Sequence, residues 1–176
     1  MKTTKNIALV GIGIALFVVL SLCLQVPVFE NYYLCLGYIV MSVYCYSIGI
    51  VSGTIVGTLG TILYCFLIGG LRGMPGWAIG NIAIGIIIGA TFLLTKKIKS
   101  TTLSIAIAVI GIVFANTIGI LGIKSLTEVI LYSQPFVVRV VSNTTAFVAD
   151  IVVLIASLPI CKLLHKQIIK TNIHTY

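Results

Sequence analysis

The chain has 176 residues, 60% of them hydrophobic, and only 14 charged side chains (11 basic plus 3 acidic). A soluble domain carries about a quarter charged residues, and the apolar residues here recur in runs near the ~20 residues that cross a bilayer as a helix. The composition therefore describes an integral membrane protein and excludes soluble enzymes, disulfide scaffolds and disordered tails. The net charge of +8 does not mark a nucleic-acid surface, because the basic residues sit at the ends of apolar runs and form no basic face.

Six apolar stretches follow one another, at residues 7–26, 34–48, 50–68, 77–95, 103–121 and 136–161, the second being the shortest. They predict an all-α, single-domain, six-helix transmembrane bundle. Met1-Lys2-Thr3 leads straight into the first stretch with no Ala-x-Ala site after it, which reads as a retained helix and not a removed signal peptide. Ala8, Gly11 and Ala15 share one face of that helix at i, i+3, i+7 spacing. Internal packing and the docking of a partner helix both fit such a face. Gly49, Gly53, Gly57 and Gly60 line one face of the third helix. Gly76 with Gly80 and Gly85 with Gly89 do so on the fourth, and Gly111, Ala115, Gly119 and Gly122 on the fifth. Small residues in such rows let helices approach closely inside a bundle.

Orientation follows from lysine and arginine, which are enriched in cytoplasmic loops. With both termini inside, Lys2, Lys5, Lys96, Lys97, Lys99, Lys162, Lys166 and Lys170 fall on the cytoplasmic side, against Arg72, Lys124 and Arg139 outside. Glu30 and Glu128 also fall outside. The inner connections 47–49 and 95–102 are short, whereas the outer ones, 27–33, 69–76 and 122–135, are longer and hold Pro, Gly, Tyr and polar residues, as loops that cover a site often do.

Polar groups inside a membrane are costly, so their depth carries information. Arg139 and Asn143 lie one turn apart on the last helix, and Trp77 and Asn81 one turn apart on the fourth. Tyr64 and Asn116 come within about two turns of the outer ends of their helices, and Gln25 ends the first helix at the same level. A ligand pocket needs an apolar, aromatic wall and a few convergent hydrogen-bonding groups. Trp77 and Tyr64 could stack on a flat ring; Asn81, Asn116 and Asn143 could read its edge; Arg139 could pair with an anionic or carbonyl group. Each also has a plain structural role open to it: belt aromatics at the interface, asparagines bonding across helices, an arginine snorkelling to headgroups. Asp150 lies about 16 Å along the helix axis from Arg139 at ~1.5 Å per residue, which places it below the pocket and out of reach of a direct ion pair.

Catalytic chemistry is not visible. The two histidines, His165 and His174, lie in the cytoplasmic tail with no nucleophile beside them. The five cysteines are scattered without CxxC spacing, so neither metal nor cofactor is expected. No P-loop is present, so energy for transport would have to come from a partner or an ion gradient.

The whole chain resembles the substrate-binding S component of energy-coupling factor (ECF) vitamin transporters, in the branch with riboflavin and hydroxymethylpyrimidine S components. The resemblance covers roughly residues 5–165. It rests on size, the six-helix plan, the Ala8/Gly11/Ala15 face, the segment Gly49-Ile50-Val51-Ser52-Gly53-Thr54-Ile55-Val56-Gly57, and the outer segment Arg72-Gly73-Met74-Pro75-Gly76-Trp77. It implies a micronutrient bound in an outward pocket beneath the loop between the first two helices. It also implies that the small face of the first helix docks on a transmembrane coupling subunit driven by two ATPase subunits, in a bacterial cell membrane. Family members carry Ala-x-x-x-Ala there, where this chain has Gly11-Ile12-Gly13-Ile14-Ala15. A membrane scaffold resembling the rod-shape protein MreD and a stand-alone secondary transporter are the alternatives.

Overall fold

The computed structural model describes residues 2–23, 27–29 and 32–173. The chain is helical almost throughout: α1 (Lys2–Cys23), α2 (Gly37–Ser47), α3 (Ile50–Ile68), α4 (Met74–Thr95), α5 (Thr101–Asn116), a π-helical segment (Thr117–Lys124), α6 (Ser125–Tyr132) and α7 (Phe136–Ile173). Between α1 and α2, β1 (Pro27–Phe29) pairs antiparallel with β2 (Tyr32–Tyr33). Gln25 and Glu30 lie outside the described residues.

Among the described residues, five helices are long and apolar enough to cross a membrane: Asn6–Cys23, Ile50–Ile68, Met74–Thr95, Thr101–Tyr132 and Phe136–Leu164. The chain is a multi-pass membrane protein. At ~1.5 Å per residue, the 11 residues of α2 reach only about half of a ~30 Å hydrocarbon layer. The short helix is nonetheless the centre of the bundle. Tyr38, Val40, Met41, Ser42, Tyr44 and Cys45 are all buried, enclosed by α1, α3, α4 and α7.

Glycine makes that enclosure possible. Gly49, between α2 and α3, has φ +140°, which L side chains rarely adopt, and this sharp turn folds α3 back along α2. A methyl group on Gly57 would come within 2.3 Å of Met41 Sδ, and one on Gly60 within 2.6 Å of Phe17, so α3 lies nearly backbone-close on both neighbours. The core built this way holds Phe17, Tyr38, Met41, Val56, Ile84, Ile88, Ile112 and Leu154.

Three expected boundaries differ. Helix α4 begins at Met74, not at residue 77, because Pro75 fits the first turn, where its missing N–H has no helical partner to lose. Helix α7 runs beyond residue 161 to Ile173. The expected outer loop 122–135 is largely helical. Helix α5 passes through the π-helical turns into α6 and stops only at Ser133, which takes a left-handed conformation two residues before Pro135.

Candidate functional site

At the end of the bundle formed by the C-terminus of α3 and the N-terminus of α4, four side chains form one hydrogen-bonded chain. Trp77 Nε1 donates to the Tyr38 hydroxyl (2.8 Å), which donates to Asn81 Oδ1 (2.7 Å). Asn81 Nδ2 donates to Thr61 Oγ1 (2.6 Å) and to the Gly57 carbonyl (3.3 Å). Tyr64 stands edge-on to Trp77, with ring centroids 5.9 Å apart and planes at 87°. Asn81, Thr61 and Tyr38 are wholly buried, and Tyr64 is buried too, so these groups face inward and are not a lipid-facing belt.

A second cluster joins α6 to α7. Asn143 Nδ2 donates to Ser125 Oγ (3.1 Å) and to Glu128 Oε2 (2.9 Å), and Arg139 Nη1 lies 3.8 Å from the same carboxylate oxygen. The Arg139 guanidinium sits 5.8 Å from the centre of the Tyr132 ring and that of Arg72 4.8 Å from it, while the Tyr132 hydroxyl donates to the Arg72 carbonyl. The π-helical segment positions this cluster: the Ser125 hydroxyl reaches the Ile120 carbonyl five residues back (3.2 Å), in keeping with the wider turn that precedes it.

Two charged residues connect the clusters. Lys124 lies within electrostatic reach of Glu128, Asp150, Arg139 and Cys65. Asp150 was expected below the pocket, yet it reaches the Tyr38 hydroxyl and so belongs to the first cluster. Depth along α7 alone misplaced it, because α2 runs alongside α7 in the same sense, with Ser42 at Ser157 and Cys161, and so brings Tyr38 level with Asp150. Arg139 pairs with Glu128, and no ion pair joins it to Asp150.

Of the residues singled out by depth, Tyr64, Trp77 and Asn81 come together in the first cluster, and Arg139 and Asn143 in the second. Asn116 is fully buried and donates to Ile112 on its own helix (2.9 Å). Its Oδ1 and the Nε of Arg139 have no hydrogen-bond partner among the described residues. Tyr38, Thr61, Lys124, Ser125 and Glu128 were missed. The i, i+4 spacing of Lys124 and Glu128, with no proline before residue 135, was the available signal that the helix continues.

On α1, Ala8, Gly11 and Ala15 are exposed, and no described atom lies within 4 Å of the methyl position on Gly11. Internal packing falls instead to Gly13, whose methyl position would lie 2.6 Å from the Tyr44 ring.

Together these features define a multi-pass membrane protein with a charged, aromatic and amide-rich cluster enclosed at one end. Residues 1–166 match the family model for the ECF-type riboflavin transporter, S component, and the chain belongs to that family. It is therefore a vitamin-transporter S component, from a family of transport subunits and not of enzymes. No curated protein and no solved structure gives a significant match.

Proposed function

We propose that this S component captures a flat, nitrogen- or oxygen-rich heteroaromatic, riboflavin or a pyrimidine precursor, at the end of the bundle that holds Trp77 and Arg139. The observation that carries the reading is the convergence of Tyr38, Tyr64, Trp77, Asn81, Arg139 and Asn143, together with Lys124, Glu128 and Asp150, in one buried to half-buried region. The faces of the aromatic rings are the surface on which a flat ligand would stack, and the amides both donate and accept, as the edge of an isoalloxazine or pyrimidine ring requires. Asn116 Oδ1 and Arg139 Nε hold unused hydrogen-bonding capacity for such a ligand.

In this reading the chain makes six crossings with both termini cytoplasmic in a bacterial cell membrane. Helix α2 and its preceding hairpin supply the crossing that α2 is too short to make alone, and the Trp77 end faces outward. The exposed Ala8/Gly11/Ala15 face docks on a transmembrane coupling subunit, and two ATPase subunits supply the energy. Small residues allow that docking because they let two helix backbones approach closely.

Thermal unfolding of the purified protein against a panel of vitamins and precursors tests the proposal. The true ligand at 100 times its dissociation constant stabilises the fold by about 2.7 kcal/mol. If no compound in the panel moves the transition, the assignment of this region as a vitamin site is wrong.

A further inference from the structure

At the opposite end of the bundle, α4, α5 and α7 frame a shallow, open crevice. Phe92, Ile105, Ala108 and Leu158 make its apolar wall, and Ser104 and Lys162 stand on its rim. We propose that this crevice seats an anionic phospholipid, with one acyl chain against the apolar wall and the phosphate between Lys162 and Lys96.

Membership of the transporter family and the length of α4, α5 and α7 put this crevice in contact with lipid, whichever way the bundle faces. An acyl chain matches the wall better than water does, since the wall offers water almost no hydrogen-bonding partner. Charge selects the headgroup. Lys96, Lys97, Lys99 and Lys162 all lie at this end, whereas Glu128 and Asp150 belong to the clusters at the other. Lys96 is held in place over Tyr46, which also lines the crevice: its ammonium donates to the Tyr46 carbonyl and sits 4.6 Å from the ring centre. Burial there lowers its pKa, and with no carboxylate at this end among the described residues an anion would restore the stability of its charged form. Basic pockets between membrane helices select anionic headgroups on this principle.

The test uses the full chain, delipidated in a neutral detergent and titrated with dioleoylphosphatidylglycerol or dioleoylphosphatidylcholine, with bound lipid counted by native mass spectrometry. Phosphatidylglycerol should be retained more tightly. Lys162→Gln should weaken it about fivefold and leave phosphatidylcholine unchanged, following the contribution of one lysine at an anionic surface. Ser104→Leu, which fills the mouth, should displace both lipids. Both substitutions lie on the rim, so an unchanged unfolding temperature in lipid-free detergent shows that the variants are folded. Equal retention of the two lipids by the native chain, or unchanged binding in both variants, overturns the proposal. Displacement of phosphatidylglycerol by excess inorganic phosphate would also overturn it, by showing a free-anion site.

Discussion

Tyr38→Phe removes a single oxygen from the middle of the first cluster, and its consequences can be worked out bond by bond. The hydroxyl accepts from Trp77 Nε1 at 2.8 Å and donates to Asn81 Oδ1 at 2.7 Å, so these two interhelical hydrogen bonds are lost along with the contact to Asp150. Such bonds average about 0.6 kcal/mol in membrane proteins and reach about 1.7, giving about 1–3 kcal/mol for the pair. Asn81 is wholly buried, so its carbonyl oxygen is left without a donor from Tyr38 and the upper part of that range is expected. Trp77 is the single tryptophan of the chain, which makes the assay specific. Its emission should shift to the red as Nε1 turns to water, while the unfolding transition drops by several degrees and vitamin affinity falls. Val137→Ala, on a side chain 71% exposed to lipid, is the control for nonspecific loss. If Tyr38→Phe leaves both the transition and the tryptophan emission where the control leaves them, the hydrogen-bonded chain does not hold Trp77 and the reasoning fails.

Asn143→Ala takes the amide donor from Glu128 and Ser125, and should lower vitamin affinity at least about tenfold while the protein still elutes as a folded species, as ligand titration would measure. Gly80→Ala would set a methyl group 2.6 Å from the Gly119 carbonyl, a backbone atom that cannot swing aside, and should cost about 1–3 kcal/mol in thermal unfolding. Gly11→Leu meets no described atom within 4 Å of its first carbon; it should leave unfolding and vitamin binding unchanged but abolish co-purification with a coupling subunit.

The helices were legible because their apolar runs are long and are cut by glycine, proline or lysine; α3 was placed to the residue at 50–68. The clustering of the polar side chains was legible in part. Trp77, Asn81 and Tyr64 lie on long helices whose depth can be counted along the axis. Tyr38 could not be found that way, since a tyrosine near the start of a short apolar stretch looks the same whether it faces lipid or the centre of the bundle. Burial decides between the two, and burial depends on α1, α3, α4 and α7 closing around α2. Lys124 and Glu128 were hidden for a different reason. Gly122 and the charges after it read as a loop, whereas the chain keeps its helical hydrogen bonding there by widening into a π-helix.

That widened segment and the glycines of α4 solve one problem together. A methyl group on Gly119 would fall 2.8 Å from the Gly80 carbonyl, and one on Gly80 would fall 2.6 Å from the Gly119 carbonyl, so both sides of the contact are bare backbone. Close approach of α4 brings the first turn that carries Trp77 alongside the turn that carries Lys124 and Glu128. The wider turns between residues 117 and 124 change the direction in which those side chains leave the helix, so Glu128 meets Asn143 and Arg139 on α7. Helix α2 then delivers Tyr38 into the space beside Asp150, which ties the α7 cluster to the α4 cluster. The glycine rows that at first read as packing alone thus decide which polar groups meet. A substitution at Gly80 or Gly119 should therefore disturb vitamin binding as well as stability, whereas one at Gly11, outside this contact, should disturb neither.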